Sequence, residues 1–124
     1  MDIEIKNLQS IRSKHVVEIY DLIKVPANNK VGLVQEYLPG ADLVSLVPDA
    51  ADPKTFISKD DYLKLIYQIS SGLKDIHETG VIHRDIKLNN MKLSAENVVT
   101  IFDFGFAKPA TSDAHTKGFK GTYG

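Results

Sequence analysis

Between Ser58 and Thr79 the chain places an apolar residue every three or four positions, at Tyr62, Ile66, Ile69, Leu73 and Ile76. That spacing makes one stripe along an α-helix and fits no strand. Ser58 followed three residues later by Asp61 resembles a capping box, with Asp in the usual Glu place. Gly80 supplies the C-terminal stop. A stripe of this kind is core, so the rest of the chain must cover it.

The flanking segments are short and mostly rich in β-branched residues. Ile3 to Arg12, with Ile5, Leu8 and Ile11, has the spacing of a short helix. Val16–Val25 and Lys30–Leu38 read as two strands joined by the turn Pro26-Ala27-Asn28-Asn29. Pro39-Gly40 stops the second strand, Asp42 to Val47 suits a short helix, and Pro48 to Phe56 reads as loop. Val81-Ile82 begins a further loop. Met91-Lys92-Leu93 and Val98 to Phe102 form two short strands around a turn at Ala95-Glu96-Asn97. Everything after Gly105 is rich in Gly, Lys, Thr and Ser and reads as mobile. The expected class is α+β.

Composition narrows the chemistry. The 124 residues contain no cysteine, which removes thiolate catalysis, disulfides and cysteine-bound metals together. Fifteen basic and sixteen acidic residues give a net charge of −1. Binders of nucleic acid or of anionic membranes usually carry a basic excess, so neither partner is expected. The acidic start Met1-Asp2-Ile3-Glu4 is no signal peptide, and no run reaches the roughly 18 apolar residues of a membrane span. A reducing interior, cytoplasmic or nuclear, fits this composition.

Polar residues gather in two loops. One is His83-Arg84-Asp85-Ile86-Lys87-Leu88-Asn89-Asn90, directly after the long helix; the other is Asp103-Phe104-Gly105, after an apolar strand. A carboxylate at a strand end, followed by a glycine that permits a sharp turn, suits Mg²⁺. Asn90 adds an oxygen without adding charge. Asp85 can accept a proton from a hydroxyl, and Lys87 can neutralise a transferring phosphate. A metal clamp, a positive charge and a base are the parts phosphoryl transfer needs.

H-R-D-x-K-x-x-N followed by D-F-G resembles the signature of eukaryotic-type protein kinases. Asp85 and Asn90 are five residues apart and Asp103 lies eighteen beyond Asp85, which agrees with that family. Lys87 is similar to the serine/threonine type. The resemblance extends over nearly the whole chain. It implies a partial kinase fold in residues 1–124, with 1–38 as a remnant of the N-lobe and hinge and 39–124 as an incomplete C-lobe. Glu36-Tyr37-Leu38-Pro39-Gly40 looks like the hinge, and Gly121-Thr122 like the start of the family's G-T-x-x-Y-x-A-P-E stretch.

The resemblance also implies the roles. ATP and Mg²⁺ are the expected cofactors, and a protein Ser/Thr hydroxyl is the expected acceptor. Asp85, Lys87 and Asn90 would be catalytic; Asn90 and Asp103 would bind metal. Backbone groups near Glu36 and Leu38 would meet the adenine edge, Asp42 the ribose, and Lys92 the adenine face. Asp42 also stands where it can cap the short helix that follows. Gln35 falls at the gatekeeper position. Glu4 matches the C-helix glutamate, and Leu8, Ile19, His83 and Phe104 match the stacked residues called the regulatory spine. Arg84 suits the grip on an activation-loop phosphate, for which Thr116 is the candidate.

Two family elements have no counterpart in this sequence, the G-x-G-x-x-G phosphate loop and the V-A-I-K lysine. The chain therefore looks like the middle of a kinase domain, and by itself is expected to be catalytically silent and prone to self-association through uncovered apolar surface. A pseudokinase-like binding module, or a degenerate remnant without catalysis, is the alternative reading. Lys92 stands where the family usually has an apolar residue. Its ammonium either weakens ATP binding, because an unpaired buried charge is costly, or its stem covers the ring while the head reaches water or phosphate.

Overall fold

A computed structural model describes residues 5–28, 30–105 and 107–109. The first helix, α1, is Ile5–Gln9, shorter than the apolar spacing suggested. Strands β1 (Ile19–Val25) and β2 (Lys30–Gln35) pair as an antiparallel hairpin, with a bulge between Ile19 and Asp21. Val16 and Val17, expected in the first strand, pair elsewhere, as described below. After β2 come β3 (Ala41–Asp42) and two 3₁₀ turns, Leu43–Leu46 and Pro53–Thr55.

The long helix, α2, runs Lys59–Glu78. Ser58 Oγ accepts from the Asp61 N–H at 3.1 Å, so the expected capping residue caps. At the other end Gly80 has φ +80, a left-handed conformation that ends the helix at little steric cost. Four short strands follow: β4 (Val81–Ile82), β5 (Met91–Leu93), β6 (Val99–Ile101) and β7 (Lys108–Pro109). β3, β5 and β6 form one antiparallel sheet in that order, and β4 pairs with β7. Val81-Ile82 is therefore strand where the sequence suggested loop, because Lys108–Pro109 supplies the partner from 26 and more residues downstream.

The core lies where α2 crosses β4 and β6. Ile76, Val81, Val99 and Ile101 are all fully buried there. Each such side chain contributes roughly 1.5–3 kcal/mol on transfer from water. The segment leading into β1 is tied to the same place. His15 O accepts from the Ile101 N–H, and Val17 N–H donates to Ile101 O, both at 2.9 Å. Val16 thereby bridges Ile101 in parallel instead of extending β1.

The stripe on α2 departs from expectation in its first half. Ile76 is buried, but Tyr62 is 54% and Ile66 46% exposed. The C-terminal half of α2 meets the sheet. The N-terminal half faces a groove of about 320 Å³ beside the first 3₁₀ turn, and its side chains line that groove without filling it. Among the described residues no helix is long and apolar enough to cross a membrane.

Candidate active site

The loop after β4 folds back on itself through polar contacts. The Asp85 N–H donates to His83 Nδ1 at 3.1 Å, so Nδ1 is the unprotonated ring nitrogen. The hydrogen then sits on Nε2, which donates to the Phe102 carbonyl at 2.8 Å. Burial pushes the His83 imidazole below its ordinary value of 6.5. The Phe102 carbonyl and the nearby Asp103 and Asp85 carboxylates oppose that shift without reversing it. His83 is thus a neutral connector between the two polar loops, and its ring lies 4.9 Å from that of Phe104.

Asp85 is only 3% exposed. Burying a carboxylate is costly unless it is bonded, and here partners are present. Asn90 Nδ2 donates to the Asp85 main-chain oxygen at 2.9 Å and to Oδ2 at 3.1 Å. Lys87 Nζ lies 4.0 Å from the same Oδ2. Asn90 occupies a 3₁₀ turn, Leu88–Asn90, that leads directly into β5. Its carbonyl accepts from the Phe102 N–H at 2.9 Å. Phe102 therefore touches the first loop through both of its main-chain polar groups.

Two non-glycine residues here hold positive φ, Arg84 at 71° and Asp103 at 64°. Such conformations cost on the order of 1–3 kcal/mol and persist where the surroundings enforce them. Asp103 is exposed, and its Oδ1 accepts from the Gly105 N–H at 3.3 Å. Asn90 has spent its NH₂ group on Asp85, so its amide oxygen is the atom left for a cation. One amide oxygen and one carboxylate, with water completing the shell, is a donor set that suits Mg²⁺. Among the described residues no group of three His, Cys, Asp or Glu side chains forms a metal cluster.

A second cavity, about 380 Å³, opens beside these loops. It is lined by Gln35, Glu36, Tyr37, Leu38, Gly40, Lys92 and Phe102. The Glu36 N–H is committed to the Glu18 carbonyl at 2.9 Å. Leu38 and Phe102 give the cavity apolar walls of a kind a purine ring can contact. Lys92 has a partner that its sequence position did not suggest. Its Nζ bonds Asp42 Oδ1 at 2.9 Å and stands 5.9 Å from the centre of the Phe102 ring. The two residues face each other in register across β3 and β5. Asp42 precedes the 3₁₀ turn but makes no side-chain capping bond to it.

Leu8, Ile19, His83 and Phe104 are all buried, as their spine-like positions implied. Glu4, Thr116 and the Gly121-Thr122 segment lie outside the described residues. Sequence reasoning missed Gln68 on α2. Its Oε1 accepts from the Val99 N–H at 2.9 Å and its Nε2 donates to Asn97 O at 3.1 Å, clamping the β5–β6 turn. It missed His15 too, whose Nδ1 donates to Val99 O at 2.9 Å. A polar residue among the apolar positions of a helix was the one visible signal for Gln68.

The whole chain, residues 1–124, matches the protein kinase domain family. It is 30% identical over 122 residues to a probable serine/threonine-protein kinase nek2 of Dictyostelium discoideum, covering 96% of this chain and 29% of that protein. It is 29% identical to the serine/threonine-protein kinase Nek2 of Mus musculus, covering 96% of this chain and 28% of the relative. With a kinase called drp72 of Corynebacterium efficiens the identity is 36%, over 88% of this chain and 21% of the relative. The chain thus spans less than a third of each of these relatives. The buried Asp85–Asn90 pair, its lysine neighbour and the Asp103 turn sit inside that match, on a mixed helix-and-strand fold. By fold and by sequence, the chain belongs to the protein kinase domain family.

Proposed function

We propose that these residues carry the catalytic loop and the magnesium-binding segment of a protein serine/threonine kinase, which transfers the ATP γ-phosphate to a Ser or Thr hydroxyl. The observation that carries the reading is the state of Asp85. It is buried, Asn90 bonds both its main-chain oxygen and its carboxylate Oδ2, and Lys87 faces the same Oδ2 at 4.0 Å. A carboxylate held this way accepts a hydroxyl proton from a fixed direction, and positioning of that kind is a large part of phosphoryl-transfer catalysis.

Lys87 offers positive charge to the transferring group while staying tethered to Asp85. Asn90 and Asp103 would hold Mg²⁺, which supplies charge neutralisation at the phosphates. The cavity bounded by Gln35–Leu38 and Phe102 takes the nucleotide base, with the Glu36 carbonyl and the Leu38 N–H at its polar edge. Residues 1–38 would then belong to the N-lobe and hinge, and 39–124 to the C-lobe. A protein substrate, a cytoplasmic or nuclear setting, and self-association through the uncovered face of α2 complete the proposal.

The test uses the full-length protein with Mg-ATP and generic Ser/Thr peptides. Transfer that is lost in Asp85→Asn, while nucleotide binding persists, supports the assignment. Nucleotide binding without transfer in the intact protein would favour the pseudokinase-like reading. Transfer unaffected by Asp85→Asn overturns the catalytic assignment.

A further inference from the structure

The two residues read as holding the metal stand on different supports. Asn90 belongs to the loop that follows β4, and β4 follows α2 after only Thr79 and Gly80. Helix and loop are therefore joined at close quarters along the chain. Asp103 stands beyond the end of β6, two residues after Ile101. The spacing of the pair thus depends on where β6 lies along α2.

Apolar contact alone defines that register loosely. Val99 and Ile101 are fully buried where β6 meets the helix, but burial of this kind is non-directional. Hydrogen bonds are directional. The His15 and Val17 bonds to β6 fasten it to the segment before β1, not to α2. Among the described residues, the two bonds of Gln68 are the hydrogen bonds that join α2 to the β5–β6 hairpin. Gln68 Oε1 accepts from the Val99 N–H, while Gly72, one turn further along the helix, abuts Ile101, two residues further along the strand. Four residues of helix rise about 6 Å, and two residues of strand span about 6.6 Å. The two elements keep step, so the bond at Gln68 sets the position of everything β6 carries.

We propose that Gln68 is a positioning residue for the metal site: by fixing β6 along α2 it holds the Asp103 carboxylate at its working distance from the Asn90 amide oxygen. The bonds of Phe102 to Asn90 and His83 close the end of a hairpin whose place along the helix Gln68 has set. Groups that orient metal ligands directly change metal affinity by about 10–100-fold. Gln68 acts from Val99, four residues before Asp103, so its effect is smaller. The inference rests on the magnesium-binding reading above and extends it to a residue outside both polar loops.

The probe is Mn²⁺, titrated into the full-length protein with ATP present and followed by electron paramagnetic resonance. Asp103→Asn identifies the bound metal that belongs to this site. Gln68→Ala should raise the Mn²⁺ dissociation constant of that site about fivefold. Gln68→Glu keeps the acceptor for the Val99 N–H and should raise it by no more than about twofold. A residue that only stabilised the fold would lower the amount of metal bound at saturation and leave the constant of the folded molecules unchanged. The titrations are run at a temperature where circular dichroism shows the variants folded. Gln68→Met keeps the side-chain length, loses both bonds, and serves should Gln68→Ala fail to fold. An unchanged constant in the folded variant that lacks both bonds overturns the inference, as does a rise in Gln68→Glu equal to that in Gln68→Ala. Bound Mn²⁺ that does not depend on Asp103 in the wild type overturns the metal reading itself and the inference with it, a pattern distinct from the other two.

Discussion

A Cβ added at Gly72 would come within 2.9 Å of the His15 main-chain oxygen and 3.0 Å of Ile101 Cδ1. The helix is thus pressed against the segment that joins α1 to β1, at the place where that segment bonds Ile101. In an open helix, replacing Gly by Ala stabilises by about 1 kcal/mol. Here the obstacle is backbone, which cannot swing aside, and overpacking of this kind costs about 1–3 kcal/mol. The clash wins. Gly72→Ala should lower the thermal midpoint of unfolding by several degrees, as measured by circular dichroism. An unchanged or raised midpoint would show that the helix can shift away.

His83 makes stability depend on pH in a defined direction. Its folded pKa lies below the ordinary 6.5 because burial disfavours the charged ring. Between the folded and unfolded values the unfolded chain binds more protons, so stability rises with pH there. The contribution is complete above pH 6.5 and declines as the pH falls below it. Denaturant melts at pH 7.5, 6.5 and 5.5 should show progressive loss at the lower values. His83→Phe should flatten that slope, and an equally steep slope in the variant would move the acid sensitivity to another group.

Gln68 holds two main-chain groups of the β5–β6 turn, one by each end of its amide. Gln68→Ala leaves the partly buried Val99 N–H without its partner, at a cost of about 1–3 kcal/mol. Gln68→Glu keeps the acceptor but loses the donor towards Asn97. Urea unfolding should rank wild type above Gln68→Glu and Gln68→Ala lowest. Equal midpoints for all three would show that water replaces the clamp without loss.

The exposed first half of α2 should drive association. Leu63 and Tyr67 join Tyr62 and Ile66 among its exposed apolar side chains, and the apolar groove lies beside them. A contiguous apolar surface of this sort favours self-contact in water. Light scattering of the 124-residue chain should show mass rising with concentration, and Leu63→Lys with Ile66→Lys should suppress the rise. A concentration-independent monomer in the wild type would refute the expectation.

Local features were the readable ones. The cap at Ser58, the stop at Gly80 and the short hairpins each depend on residues a few positions apart, and periodicity and turn chemistry report on that range. The polar loops were legible for the same reason, since Asp85 and Asn90 sit five residues apart in one bend. Long-range pairings were not. Nothing local in Lys92 names Asp42, fifty residues earlier, as its partner. The β4–β7 ladder and the Val16–Ile101 bridge likewise depend on registers set by the whole packed chain. Val16 and Val17 show the competition directly. Their β-branched character suits a strand, and it was satisfied by β6 instead of β2.

Phe102 is fastened by its amide hydrogen to Asn90 and by its carbonyl to His83, while its side chain lines the cavity beside Gln35–Leu38. The scaffold holds this residue by atoms that every amino acid except proline possesses. Its ring also packs against the core, so the exchange open to it is for another apolar side chain of similar size. Evolution, or a designer, can exchange it to retune what the cavity accepts while the neighbouring His83–Asn90 loop keeps its main-chain anchors.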